Sequence, residues 1–166
     1  MIFVTVGTHE QQFNRLLEYM DNLKKNGLIE DDIVIQTGYS TYEPKCCKWK
    51  KFYPYMEMLK MVNQAKIVIT HGGPSSFIMP LQIGKIPIVI PRQKKFNEHV
   101  NDHQLEFCNE VAKRDSTIIV VNDINDLENI IRKYDKIVSH MKNGRKSNNA
   151  EFCKKLEKIV NEIVRT

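Results

Sequence analysis

The sequence predicts an α/β fold, a single Rossmann-like domain over residues 1–166 with a parallel sheet of about six strands and helices on both faces. Three observations carry that prediction. Short apolar runs alternate along the chain with stretches whose apolar residues recur every three or four positions. Each run empties into a polar or glycine-containing turn. The intervening stretches are long enough for the right-handed crossovers that join parallel neighbours.

The elements follow in order. Ile2 to Val6 reads as a buried strand, and Phe13, Leu16, Leu17, Met20 and Leu23 mark the inner face of a first helix. Ile33 to Gln36 is a second strand ended by Thr37-Gly38, residues 39 to 48 are irregular, and Trp49 to Tyr53 forms a short third strand. Pro54 suits a helix start, which predicts a helix over Tyr55 to Gln64 with Met56, Leu59 and Met61 or Val62 turned inward. A strand at 66 to 70, a helix near 75 to 83 ended by Gly84, a strand at 86 to 90 and a helix near 99 to 114 come next. Thr117 to Val121 is the last strand. Asn122-Asp123 caps a helix to about Tyr134, and Phe152, Leu156, Ile159, Val160 and Ile163 give the apolar stripe of a closing helix over 148 to 165.

Composition bounds the function classes. With 166 residues and 42% hydrophobic content the chain can bury a full core. The net charge of +5 is scattered, with a local cluster at Lys45, Lys48, Lys50 and Lys51. That mild bias suits a phosphorylated ligand, an anionic membrane or an acidic partner. No recognition motif or basic face with interleaved aromatics points to nucleic acid, so none is expected as a partner. Cys46, Cys47, Cys108 and Cys153 lack C-x-x-C spacing and read as reduced thiols of a cytosolic protein. The opening MIFVTVGT is too short for a signal peptide, and no segment predicts a membrane span.

The chemistry concentrates in residues 68 to 104. A strand empties into His71-Gly72-Gly73-Pro74-Ser75-Ser76, where two glycines able to take positive φ, two hydroxyls and the free N–H groups of a following helix predict an anion cradle. The next strand empties into a loop holding Arg92, Gln93, Glu98, His99, Asp102, His103 and Gln104. Gly7-Thr8 ends the first strand in the same way. In an open parallel sheet all three turns fall at the carboxyl ends of strands, where such folds bind ligands.

Other nucleotide and hydrolase signatures are missing. The chain has no G-x-x-x-x-G-K-[ST], no G-x-G-x-x-G after its first strand and no G-x-S-x-G elbow. No cluster of metal-ligand spacing is present; Glu98-His99 and Asp102-His103 could in principle meet an ion, but such residues more often hydrogen-bond a ligand or cap a helix, and no metal or other cofactor is expected.

Taken together, VTVGTHEQQF, THGGPSSF, the small-residue helix ending Gly84-Lys85-Ile86-Pro87 and the PRQ…EHVNDHQ loop resemble the nucleotide-sugar-binding half of GT-B glycosyltransferases over essentially the whole chain. The nearest resemblance is to single-domain bacterial capsular and exopolysaccharide transferases and to the catalytic subunit of the eukaryotic two-subunit N-acetylglucosaminyltransferase. It implies one half of a GT-B fold and a UDP-sugar donor whose diphosphate sits on Gly7-Thr8 and on the turn from His71 to Ser76. It carries Asp102, His103 and Gln104 to the donor sugar or its phosphate, and uracil to the Ile90-Pro91-Arg92 region. The acceptor half would belong to a second, membrane-associated subunit presenting a lipid-linked saccharide, which would hold this chain at the inner face of the plasma membrane.

The implied reaction is hexosyl transfer, galactose first and N-acetylglucosamine second, inverting and metal-independent. Charge develops on the leaving diphosphate, which makes donors from His71, Ser75, Ser76 and Arg92 the catalytic need, with Glu98 and His99 as further donor-site candidates. A base must deprotonate the acceptor hydroxyl, and either His9 or a partner residue can serve. His99 and His103, four apart on a predicted helix, can both face the cleft or both lie on a solvated face. One position departs from the pattern: many relatives carry a ribose-binding glutamate where this chain has Met79, five positions ahead of Gly84. Ribose recognition would then pass to a neighbour such as Gln82 or differ in this branch. A non-catalytic accessory subunit with the same fold is the alternative reading.

Overall fold

A computed structural model describes residues 1–141 and 149–164 of the chain. Six strands form one sheet: β1 (Ile2–Thr5), β2 (Ile33–Gln36), β3 (Lys48–Lys50), β4 (Ile67–His71), β5 (Ile88–Ile90) and β6 (Ile119–Val120). Their order is β3-β2-β1-β4-β5-β6, and every adjacent pair is parallel. The chain builds outward from β1 to one side and then, beginning with β4, to the other. Loops leaving β1 and β4 therefore diverge and open a crevice at their carboxyl ends.

The α-helices among the described residues are α1 (Asn14–Lys25), α2 (Tyr55–Gln64), α3 (Pro74–Gln82), α4 (His103–Asp115), α5 (Leu127–Arg132), α6 (Tyr134–Ser139) and α7 (Asn149–Val164). Alternation along the strands sorts the core into layers. Ile2, Val4, Ile35, Ile69, Ile88 and Ile90 pack with Leu16, Leu17 and Met20 of α1 and with Leu127 and Ile131 of α5. Phe3, Val34 and Val68 pack on the opposite face with Val62 of α2, and Val89 packs there with Phe77 of α3 and Cys108 of α4. Both faces are covered, which is why the strands read as continuous apolar runs.

Several boundaries differ from the sequence expectation. Helix α4 begins at His103, not near 99, because local side chains capture the preceding N–H groups. His99 Nδ1 accepts from Asn101 N at 3.4 Å, and Asn101 Oδ1 accepts from His103 N at 3.2 Å. His99 and His103 thus share no helix. The helix expected from 122 to 134 is broken: Asp123 caps a 3₁₀ turn (Ile124–Asp126), α5 follows, and α6 restarts after Lys133. Met56 points to solvent, and Val62 is the buried anchor of α2. The last helix forms, but Leu156, Ile159 and Val160 are about half exposed. Residues 148 and 165 and the side chains of Phe152 and Ile163 lie outside the described residues.

A buried carboxylate organises the irregular stretch before β3. Asp21, on α1, accepts from the backbone N–H groups of Lys45, Cys46 and Cys47 at 2.8, 2.7 and 3.1 Å and from the Tyr42 hydroxyl at 2.9 Å. Burial pushes its carboxyl up, but these donors outweigh that and hold it below the usual range.

Candidate functional site

A cavity of about 380 Å³ opens at the carboxyl ends of β1, β2 and β4, between α2 and α3. That volume lies at the lower end of the ~300–1,000 Å³ of small-molecule sites. Thr5, Gly7, Thr8 and His9 line it from the first strand and its loop, Gln36 from β2, and His71, Ser75 and Ser76 from β4 and the start of α3. Met58, Val62 and Met79 supply an apolar wall.

His71 is the centre of this arrangement. It is the last residue of β4, is 7% exposed, and its Nδ1 has no hydrogen-bond partner among the described residues. Two glycines make room for the ring. A Cβ on Gly7 would run into Cε1, and a Cβ on Gly73 would run into Nε2. Only Gly7 of these two also needs the left-handed region, with φ at +73°. Gly72 and Gly73 do not adopt the positive φ expected of them. Gly72 is small because Cys108 Sγ and Gln104 crowd its α-carbon, with 2.9 and 3.0 Å left for a Cβ.

Burial, then the positive charge of Arg92 and the nearby imidazoles of His9 and His99, push His71 down to about 3. In the empty site it is neutral near pH 7 and offers one N–H and one lone pair. His9 is also shifted down, by burial first and then by Arg92 and His99. Its Nδ1 accepts from Gln11 N at 3.1 Å, which places the neutral ring's proton on Nε2 and makes that edge a donor. The His99 ring lies 5.1 Å from that of His9. In this tautomer His9 donates a hydrogen bond, and it takes up a proton only by giving up the Gln11 contact.

The start of α3 completes the wall. Pro74 occupies the first helical position, where its missing N–H costs nothing, and Gly73 O accepts from Ser76 N at 3.0 Å. The hydroxyls of Ser75 and Ser76 and the positive end of the helix remain on the cavity side.

The profile of the glycosyltransferase family 28 C-terminal domain matches residues 1–163. The chain belongs to this family. Over 121 residues, 68% of its length, it is 32% identical to the UDP-N-acetylglucosamine transferase subunit ALG13 of Homo sapiens. Over 123 residues, 67% of its length, it is 31% identical to the ALG13 of Mus musculus. It spans 10% of the length of each of these relatives. Among solved structures, the glycotransferase of kitacinnamycin superposes with a TM-score of 0.54 at 18% identity, covering 83% of this chain and 34% of that one. The shared fold is one half of a GT-B glycosyltransferase.

Within this family 28 domain the predicted site residues separate into groups. Gly7, Thr8, His9, His71, Ser75 and Ser76 come together at the cavity, with Gly73 against the His71 ring and His99 against His9. Arg92 does not reach it. Its guanidinium is fully buried and donates to Gln11 O, Gln12 O, Glu98 O and Val6 O at 2.8, 2.9, 3.2 and 3.0 Å, with Phe13 stacked below. Glu98 is likewise buried, paired with Arg15 at 2.8 Å and accepting from Gln93 N at 3.1 Å. Arg92 braces the segment from Val6 to Gln12 and Glu98 ties Arg15 to Gln93, so both serve the scaffold, and the reading of them as ligand groups is corrected accordingly.

The start of α4 stands to one side. Asp102 accepts from Lys94 N at 2.8 Å, Gln104 from Arg92 N at 3.2 Å, and His103 is exposed beside the Phe107 ring. None of the three lines the cavity, though Gln104 abuts Gly72. Ile90, Pro91 and Arg92 are buried, so their side chains offer no surface to a base. Met79 does line the cavity, and Gln82 does not. The sequence reading missed Gln36. Its signal was a lone polar residue at the end of IVIQ; its amide bridges Thr5 Oγ1, Gly7 O and Tyr53 N. Among the described residues no group of three or more His, Cys, Asp and Glu is placed to hold a metal ion.

Proposed function

We propose that this chain is the donor-binding, catalytic subunit of a UDP-sugar-dependent hexosyltransferase. The observation that carries the reading is His71, a neutral imidazole with an unpartnered nitrogen, gripped between Gly7 and Gly73 beneath the serine-bearing start of α3. Such a group, with two hydroxyls and a helix N-terminus, suits the oxygens of a diphosphate. The nucleoside would run along the Met58, Val62 and Met79 wall, and the sugar would extend over Gly72 toward His103.

In this reading the domain stabilises the departing diphosphate by hydrogen bonding. His71, Ser75, Ser76 and the Nε2 edge of His9 donate to it, and no metal is called on. Because His9 is tied into a donor tautomer, the base that deprotonates the acceptor hydroxyl is assigned to a second subunit. That subunit would be membrane-associated and would present the lipid-linked saccharide. No helix among the described residues is long and apolar enough to cross a membrane. N-acetylglucosamine heads the donor panel, a choice supported by the names of the ALG13 relatives, and galactose stays in it on the resemblance to capsular and exopolysaccharide transferases.

The test is a thermal-shift panel followed by transfer assays with membranes bearing the acceptor and the partner. UDP raises the melting temperature, His71→Ala removes most of that rise, and one UDP-sugar supports transfer. Nucleotide binding without turnover beside an active partner would select the accessory-subunit reading. No response to any nucleotide would overturn both.

A further inference from the structure

The outer edge of the sheet carries a second, separate surface. Strand β3 is exposed along its whole length, and Lys45, Lys48, Lys50 and Lys51 stand on it or beside it. Lys50 is paired with Glu57 at 2.9 Å, and Glu43 is the other carboxylate in this stretch of sequence, so the edge keeps a positive excess. Lysines on an edge strand have an ordinary use, which is to block edge-to-edge pairing. That use needs no exposed apolar bulk. Along the sequence the lysines are interleaved with Trp49, Phe52, Tyr55 and Met56, which are 38, 38, 68 and 73% exposed. By register Lys48 and Lys50 take the sheet face of Val34 and Gln36 and Trp49 takes that of Ile35, so a surface met edge-on by the strand touches both charge and apolar bulk.

The patch is held in shape. Asp21 fixes the backbone at 45 to 47, the Tyr39 and Phe52 rings meet edge-on at 5.2 Å, and Lys51 Nζ lies 5.6 Å from the Tyr39 ring. It also shares the cavity's end of the molecule. Tyr39 follows the carboxyl end of β2, and Lys51 and Phe52 follow that of β3. Gln36, which lines the cavity, pairs in register with Lys50 and accepts from Tyr53 N at 3.1 Å.

We propose that this edge is a docking surface for an anionic phospholipid bilayer, which the protein contacts directly with its cavity near the lipid. Lysines attract an anionic headgroup layer, while tryptophan, tyrosine and methionine have the apolar bodies that settle at its boundary with the acyl chains. A nucleic-acid surface would use the same charge but would gain little from the exposed Met56 side chain. The attachment is additional to any partner subunit and does not rest on the donor reading, because vesicle binding needs no nucleotide.

The chain has one tryptophan, and it lies in the patch, so its emission reports the contact. Mixed with phosphatidylcholine vesicles containing about 30% phosphatidylglycerol, the protein cosediments, Trp49 emission shifts to the blue, and brominated lipid quenches it. Pure phosphatidylcholine gives neither effect, and raising salt toward 0.5 M weakens both, as expected for an attraction carried by exposed lysines. Lys48→Glu/Lys51→Glu keeps the native circular dichroism and lowers vesicle affinity at least ~10-fold. Phe52→Ala/Tyr55→Ala keeps the charge and lowers affinity less, with a smaller blue shift. Cosedimentation without a Trp49 response, affinity unchanged by the charge reversal, or a Trp49 response to RNA or to a partner protein but not to vesicles would each overturn the proposal. Melting shifts with UDP, read in the same variants without lipid, keep this outcome separate from that of the donor site.

Discussion

The loop after β4, from His71 to Ser76, and the loop after β5, from Pro91 to Asp102, leave adjacent strands at the same edge of the sheet, and both are rich in polar side chains. The first turns them toward a cavity and leaves a buried imidazole nitrogen without a partner. The second consumes them internally: Arg92 serves four carbonyls, Glu98 serves Arg15 and Gln93, and Asp102 serves Lys94. Polarity at a strand end therefore does not by itself mark a binding group. What separates the two loops is where an unsatisfied atom sits: His71, with Nδ1 unpartnered, lines the cavity, whereas Arg92, whose Nε is also unpartnered, is buried away from it.

The largest effect should come from removing the second loop's anchor. Arg92→Met strands four buried carbonyls, and a loss of about 3–5 kcal/mol is expected. Urea unfolding with an unchanged m-value measures it. If Arg92 acted mainly on a ligand, the loss would instead appear only in nucleotide titrations.

His71 gives the next effect, and it depends on pH. Burial holds its folded-state pKa at about 3 against an ordinary 6.5, so the unfolded chain takes up the proton first as pH falls below 6.5. The stabilisation is complete above about 6.5 and is lost progressively toward pH 3, amounting to a few kcal/mol on the order of the shift. In His71→Asn the stability-against-pH curve should lack this component. Superimposable curves would show that the ring titrates normally.

Gly73→Ala should cost about 1–3 kcal/mol by driving a methyl into the His71 ring, and it should abolish the UDP-induced melting shift. A variant that binds UDP normally would remove His71 from the site. The smallest effect is expected at the start of α4. His103→Ala should change stability by less than about 0.5 kcal/mol, since the ring is exposed. It should still reduce the extra stabilisation that a UDP-sugar gives over UDP, which calorimetry with both ligands would read.

Much of the fold was legible because its causes are local. Pro54 and the apolar spacing after it placed α2 at its observed bounds, and Gly84, with φ at +77°, ended α3 as expected. The start of α4 was not legible, since His99 and Asn101 capture N–H groups that an amphipathic pattern would assign to a helix. The site divides in the same way. Gly7, His71 and the serines of α3 were recognisable from a strand running into a small-residue turn, whereas the inward anchoring of Arg92 rests on carbonyls about 80 residues earlier in sequence, at Gln11 and Gln12.

The sequence by itself determined the alternation of strands and helices, the parallel sheet and the strand-end turns, because hydrophobic period and turn chemistry act over a few residues. Tertiary structure alone decided the rest. It packed Gly7 and Gly73 on two sides of one imidazole, it spent Arg92 and Glu98 on the scaffold, and it left Trp49 exposed on an edge. Those outcomes depend on which distant groups meet and on how much water remains between them, and neither is written in local sequence.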